Sequence, residues 1–364
     1  GTHIRLSTVE RVMSMTTKNH DIKLGVSLYS YQDNYYFHKH DLEGCIAAAA
    51  GSGATGIEAF AEMMMPEWPY ISDRFVDLWN GWMRRYGVEP VAFDHFSDRG
   101  MWKNKELSDE ELVERGKLYI RMAKKLGFPV VRVLHHEHIG RGISPYRLTD
   151  VKIVEQLLPL CAELDIMLAL ECHAPTTLHD PVHQQYLDMA ERMGMPYVGL
   201  MPDFSMYEYC VSTADVGLAV RQGATREILE FYRNSQREAY FRGEPFIYEE
   251  IADQVEKMNP SDLDRNFIGR QNHMVGTGPE SLEILEQYAS KLVYCHGKFY
   301  DLDQDGQVDN IDYPKVIQAL KKGGYKGYIS SEFEGNRRMN DAGWVDEIEY
   351  VRRHQELMRK CLAD

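Results

Sequence analysis

Apolar residues in this chain gather in short runs, and each run ends at a polar side chain and a turn. In Tyr328-Ile329-Ser330-Ser331-Glu332-Phe333-Glu334-Gly335-Asn336-Arg337 an apolar run reaches a carboxylate and a polar turn follows. Three earlier stretches repeat the design: Met167-Leu168-Ala169-Leu170-Glu171-Cys172-His173, Val198-Gly199-Leu200-Met201-Pro202-Asp203-Phe204 and Leu292-Val293-Tyr294-Cys295-His296-Gly297-Lys298. Each reads as a strand buried on both faces, with a metal-capable side chain at its C-terminal end.

Taken in order, eight runs read as strands. They are Ile22–Tyr29, Gly56–Ala61, Pro90–Phe93, Val130–Leu134, Ile166–Glu171, Tyr197–Asp203, Lys291–His296 and Gly327–Glu332. Helical patterns lie between them. Asp41 caps Leu42–Gly51, which holds four consecutive alanines; Ser72-Asp73 opens a helix whose apolar side is Phe75, Leu78, Trp79 and Trp82. Asp109–Leu126 stops at Gly127, and Val151–Leu164, Pro181–Met193, Ile311–Leu320 and Trp344–Cys361 follow. Most strand starts are about 31 to 40 residues apart, the length of one βα unit, so the fold class is α/β and the architecture a (β/α)8 TIM barrel. An open doubly wound sheet would need an early glycine-rich phosphate loop, and Gly51-Ser52-Gly53 follows a helix, not a strand.

The interval between strands 6 and 7 is about 94 residues, so roughly 55 to 60 form a helical insertion on the active-site face. It is expected at about residues 206–280: a loop Met206–Gly223, a charged, Tyr-rich helix Thr225–Arg242, a second helix Pro245–Met258 and an irregular stretch Asn259–Gly278. A lid or a partner surface is the functional reading. Residues 1–20 are set aside as a tag and disordered N-terminus, because Gly1-Thr2-His3 resembles a tag remnant ahead of Met13 or Met15. Residues 21–364 are expected to be one barrel domain.

Composition narrows the function classes. The 364 residues are 44% hydrophobic, enough for a large core, and the net charge of -15 comes from 56 acidic against 41 basic side chains. Nucleic-acid binding needs a positive field, so that class is not expected. No run of 18 apolar residues and no secretion-type leader stand in the sequence, so no membrane span is expected. Cys45, Cys161, Cys172, Cys210, Cys295 and Cys361 lack CxxC spacing and read as reduced thiols of a cytoplasmic protein.

Catalytic groups of such barrels sit at the C-terminal ends of strands. Glu171, Asp203, His296 and Glu332 end four neighbouring strands, so they can converge. Three carboxylates and one imidazole make a hard site for a divalent ion, with Mn2+ expected and Mg2+ or Co2+ as alternatives. A non-catalytic sugar-binding barrel has no need of four metal ligands. His135-His136-Glu137-His138 ends strand 4 and lacks the HExxH spacing, so His136 and His138 are read as substrate contacts. Trp68, Phe93, Phe96, Trp102 and Tyr146 are loop aromatics able to stack on a ring, and Trp102 is the chosen contact. Asp301 to Asp312 partly matches an EF-hand loop, but it leaves a strand and has Asp at its twelfth position. An acidic βα loop that caps the next helix is expected there, with Ca2+ as the alternative.

Strand-end Glu, Asp, His and Glu with the Ser-Glu-Phe-Glu-Gly close resemble the xylose isomerase-like TIM-barrel superfamily, over about residues 22–340. Gly25 to Tyr31, Trp79-Asn80-Gly81-Trp82, Glu171 to Thr176, Lys298-Phe299-Tyr300-Asp301 and Ser330 to Gly335 are similar to the α subunits of bacterial C-glycoside deglycosidases. The strand-4 end and the longer insertion depart from that pattern. The resemblance implies metal-assisted proton transfer next to a keto-sugar carbonyl. His173, in the family's Glu-x-His, is the implied base; Lys298 steadies an oxyanion, and Glu332 or Glu171 is the base in an isomerase variant. It also implies a keto-sugar or glycoside substrate and a small β subunit, and homo-oligomers are common among such barrels. Lyase and isomerase or epimerase chemistry both remain open at this point.

Overall fold

The computed structural model describes residues 20–135 and 142–364. Eight strands form one parallel sheet: β1 (Lys23–Ser27), β2 (Gly56–Phe60), β3 (Glu89–Ser97), β4 (Val130–His135), β5 (Met167–Cys172), β6 (Val198–Pro202), β7 (Cys295–Phe299) and β8 (Tyr328–Phe333). Their order is β6-β5-β4-β3-β2-β1-β8-β7, so seven neighbouring pairs are joined by parallel ladders. The two edge strands, β6 and β7, meet through one parallel bridge between Asp203 and His296, and the Val293 amide donates to the Leu200 carbonyl at 3.0 Å. The sheet is thereby a TIM barrel closed at a single light seam.

Helices cover the outside: α1 (Leu42–Gly51), α2 (Asp73–Tyr86), α3 (Asp109–Leu126), α4 (Pro145–Leu164), α5 (Pro181–Met193), α6 (Thr213–Arg221), α7 (Arg226–Phe241), α8 (Asp262–Val275), α9 (Leu282–Tyr288), α10 (Tyr313–Lys322) and α11 (Glu347–Ala363). Local chemistry sets their ends. The side chains of Asp41, Ser72 and Ser108 accept the amides of Gly44, Phe75 and Glu111, which leaves fewer unpaired donors in each first turn. α2 buries Phe75, Trp79 and Met83, each four residues apart, and Trp79 donates from its indole nitrogen to the Leu126 carbonyl at 3.0 Å. Leu78 is 51% exposed, contrary to its place in the expected apolar face. It precedes Trp79 by one residue and therefore points about 100° away round the helix.

The main core lies between the outer faces of the strands and these helices. Val91, Ala92, Ala169, Met201 and Tyr294 form a smaller apolar cluster apart from that core. Glu58, Asp94, Arg132, Glu171, Asp203, His296, Lys298 and Glu332 are also buried.

The largest differences from the sequence expectations fall between β6 and β7. The expected loop contains α6, started by Ser212, whose hydroxyl accepts the Asp215 amide at 3.0 Å. The expected irregular stretch contains α8, started by a capping box of Ser261 and Asp264. The helix expected at Pro245–Met258 is broken into Tyr248–Glu250 and Ala252–Lys257. Val216, Ile228, Leu229, Tyr232, Phe267 and Ile268 belong to a cluster separate from the barrel core. Two strands also shift. β3 spans nine residues where four were expected, and β7 begins at Cys295 because Ala289–Lys291 is a 3-10 turn. All six cysteines are buried and free. Among the described residues no helix is long and apolar enough to cross a membrane.

Candidate metal centre

Glu171 on β5, Asp203 just past β6, His296 on β7 and Glu332 on β8 converge, with one ligand atom of each lying within 4.8 Å of the others. Nδ1 of His296 is 2.5 Å from Glu171 Oε1, 2.7 Å from Glu332 Oε2 and 3.5 Å from Asp203 Oδ2. One ring N–H cannot serve three carboxylates. Burial disfavours a charged imidazole, yet Glu332, Glu58 and Glu171 outweigh it and hold the His296 pKa well above its usual value. Asp203 Oδ2 and Glu332 Oε1 are buried without a well-aligned hydrogen-bond donor. The knot therefore calls for concentrated positive charge, and its hard donor set fits a divalent cation.

Lys298 and His173 stand beside this knot. Nζ of Lys298 lies 3.3 Å from Asp203 Oδ2, 2.8 Å from Glu332 Oε1 and 2.9 Å from Glu334 Oε1. Burial works against its charge, but Asp203, Glu332 and Glu334 keep its pKa well above the usual lysine value. His173 places Nδ1 2.7 Å from the Ala174 carbonyl, so that nitrogen is the donor. Its Nε2 is left with a lone pair and faces Lys298 Nζ at 3.4 Å.

A cavity of about 290 Å³ opens over these groups, lined by Glu171, His173, Lys298, Glu332 and Glu334 together with Tyr29, Phe60, Asp94, Phe96, Arg132, Leu134 and Arg337. Tyr29 and Phe60 stack at 6.3 Å, with the Arg337 guanidinium over the Tyr29 ring at 5.4 Å. A larger cavity of about 530 Å³ lies between α7 and α10 and contains none of the four candidate ligands.

Other sequence candidates are placed elsewhere. Trp102 is 54% exposed and forms none of the cavity wall, and Tyr146 faces solvent at the start of α4. Phe93 is in β3, not a loop, and packs with Trp68 and Tyr119 in the core. Phe96, also in β3 and not a loop, is the one of these five aromatics that lines the cavity. His136 and His138 lie outside the described residues. The acidic loop after β7 spends its carboxylates locally. Asp303 accepts the amides of Asp305 and Gln307, Asp309 accepts from Thr213, and Asp312 caps α10. Among the described residues no cation-type cluster forms there.

Sequence reasoning missed Glu58, Asp94 and Arg132. Glu58 places its oxygens 2.7 and 2.9 Å from His296 Nε2. Arg132 is 3.3 Å from Asp94 through Nε and 3.3 Å from Glu171 Oε2 through Nη1. Burial pushes Glu58 up, but the imidazole of His296 outweighs it and holds the carboxyl at about 2. Burial raises Asp94 well above its usual range despite Arg132, and the neighbouring Glu58 carboxylate acts in the same direction. The available signal was a lone charge inside an apolar run, as in Ile57-Glu58-Ala59, Phe93-Asp94 and Val131-Arg132-Val133.

A family model described as a xylose isomerase-like TIM barrel matches residues 46–208. The chain is 30% identical over 358 residues to a C-glycoside deglycosidase alpha subunit of Arthrobacter globiformis, covering 94% of this chain and 93% of that one. It is 27% identical over 351 residues to a 3'-dehydrocarminate deglycosidase alpha subunit of Microbacterium sp., covering 94% and 96%. Among solved structures, an L-ribulose 3-epimerase superposes with a TM-score of 0.54 at 12% identity, covering 94% of each chain. The IOLI protein with a bound zinc atom gives 0.55 at 14% identity, covering 94% and 98%. The likeness to these two structures is one of fold.

Proposed function

We propose that this chain, which belongs to the xylose isomerase-like TIM-barrel family, is the catalytic α subunit of a metal-dependent C-glycoside deglycosidase. The observation that carries the reading is the meeting of Glu171, Asp203, His296 and Glu332 beneath a cavity that His173 and Lys298 also line. The relatives are named for a C-glycoside and for 3'-dehydrocarminate, which supports a C-glycoside substrate, and we take it to be a 3-oxo-C-glycoside with an aromatic aglycone.

A divalent cation held by Glu171, Asp203, His296 and Glu332 supplies Lewis-acid polarisation of the sugar carbonyl when bound. His173 takes the proton from C2 through Nε2, the ring nitrogen that its Nδ1 contact to the Ala174 carbonyl leaves with a lone pair. The C–H electron pair becomes the C2–C3 double bond of an enolate, and Lys298 supports the charge that gathers on oxygen. As the C3 carbonyl reforms, that pair becomes the C1–C2 double bond. The C1–aglycone bond breaks with its electrons on the aglycone carbon, which takes up a proton. Tyr29, Phe60 and Phe96 give the pocket aromatic faces, and Arg337 gives it a cation. A cavity of about 290 Å³ suits one sugar ring, with the aglycone toward the mouth.

His136 and His138 remain proposed substrate contacts at the end of β4. Mn2+ is the proposed ion, and a metal panel decides between it and the zinc of the solved neighbour. The relatives are named alpha subunits, which supports a β-subunit partner for this chain. The free buried cysteines support a cytoplasmic setting. The second reading is a sugar isomerase or epimerase, favoured by the fold shared with L-ribulose 3-epimerase; there the same enolate is reprotonated without loss of a group.

NMR in D2O tests both readings. With Mn2+ and 3-oxo-C-glucosides, metal-dependent release of free aglycone is expected, and a chelator should abolish it. Deuterium entering beside the carbonyl of a keto-sugar, with no aglycone released, replaces the lyase reading by the isomerase one.

A further inference from the structure

We propose that Glu58 is a positioning residue for the metal centre: it holds Nε2–H of His296, and so aims Nδ1 at the ligand cluster, through a ring of side chains that returns to the ligand Glu171. The proposal rests on the metal-centre reading above. Glu58 stands on β2, while His296 stands on β7, three strands away in the sheet order. Both Glu58 oxygens lie within hydrogen-bond reach of Nε2, at 2.7 and 2.9 Å, and neither residue has measurable exposure. An imidazole that offers its lone pair from Nδ1 must carry its proton on Nε2, and a carboxylate there fixes both tautomer and ring angle.

The contacts continue round the barrel. Asp94 lies beside Glu58, with one ligand atom of each within 4.8 Å of the other, Asp94 is paired with Arg132, Arg132 with Glu171 Oε2, and Glu171 Oε1 meets His296 Nδ1. Five residues from β2, β3, β4, β5 and β7 thus close a ring, and all are at most 4% exposed. Two of them, Glu171 and His296, are candidate ligands whose orientations the ring fixes together. Glu58, Asp94 and His296 also satisfy the geometry of a cation group. The Arg132 guanidinium, 3.3 Å from Asp94, already supplies positive charge on that side, so Nε2 belongs to a hydrogen bond and not to a second ion.

The test uses the full chain freed of metal by a chelator. Mn2+ is titrated calorimetrically into the wild type, Glu58→Gln and Glu58→Ala, with circular dichroism reporting the fold. The expected result is one Mn2+ per wild-type chain and an affinity about 10- to 100-fold weaker in Glu58→Ala, as for other partners of ligating histidines. Glu58→Gln keeps an acceptor but loses the charge, and its loss should be smaller yet above twofold. If Glu58→Ala does not fold, Glu58→Gln is decisive by the same twofold limit. Nitrogen-15 NMR of the wild type loaded with diamagnetic Mg2+ should show the His296 proton on Nε2. Folded variants that bind within twofold of wild type, a second bound ion in the wild type, or a proton on Nδ1 would each overturn the proposal. A wild type that takes up no Mn2+, Mg2+ or Zn2+ sinks the metal-centre reading itself, which is a separate outcome.

Discussion

His173 donates from one ring nitrogen to a main-chain carbonyl, so its other nitrogen keeps a lone pair, which faces Lys298 Nζ at 3.4 Å. It is not among the four clustered ligands. Its base role and the binding role of Glu171 should therefore separate on substitution. His173→Ala is expected to slow proton exchange beside the carbonyl by at least ~100-fold while Mn2+ affinity stays within a few-fold. Glu171→Ala should lose both Mn2+ binding and exchange. Deuterium incorporation and calorimetry on the same preparations check this; equal loss of metal from His173→Ala would remove its role as the base. At this scale the four clustered residues Glu171, Asp203, His296 and Glu332 were legible in the sequence because they stop apolar runs. Glu58, Asp94 and Arg132 were not, because they sit inside such runs and only barrel closure brings them face to face. Trp102 misled because an aromatic in an active-site loop says nothing about which way its ring turns.

Among the elements, the insertion hangs on one carboxylate. Asp264 accepts the Thr225 amide at 2.7 Å, the Thr225 hydroxyl at 2.8 Å and the Ser261 amide at 2.9 Å, tying the start of α7 to the start of α8. Asp264→Ala should cost about 3 kcal/mol by leaving those donors unpaired. Because the insertion has its own apolar cluster, amide exchange should rise across α7 and α8 before it rises in the strands. Burial raises the Asp264 pKa, but the hydrogen bonds from Thr225 and Ser261 outweigh it and the net shift is downward. Its stabilisation is therefore present above about pH 4, the unfolded value, and is lost as pH falls through the lower folded value. An acid titration of exchange in α7 and α8 reads that loss. The barrel's strands and main helices were readable because spacing and caps agree with tertiary packing. α6 and α8 were not, and their serine caps, Ser212 and Ser261, were the signals overlooked.

For the whole molecule, a cation bound among the three carboxylates around His296 would make its binding and the chain's stability one equilibrium. A bound ion at a hundredfold excess over Kd adds about 2.7 kcal/mol to the native state. Thermal melts should therefore rise by a few degrees with Mn2+, return with chelator, and stay unmoved in Glu171→Ala. A melt indifferent to Mn2+, Mg2+ and Zn2+ alike would argue against the centre.

The seam between β6 and β7 carries this further. Seven joints of the hoop are laddered, and the eighth is the Asp203–His296 bridge. Glu171 and Asp203 grip from one edge, His296 and Glu332 from the other, so an ion seated among them is a clasp. With such an ion, fastening the hoop and readying it for substrate would be one event, and stripping the ion would loosen the chain first at its proposed active site.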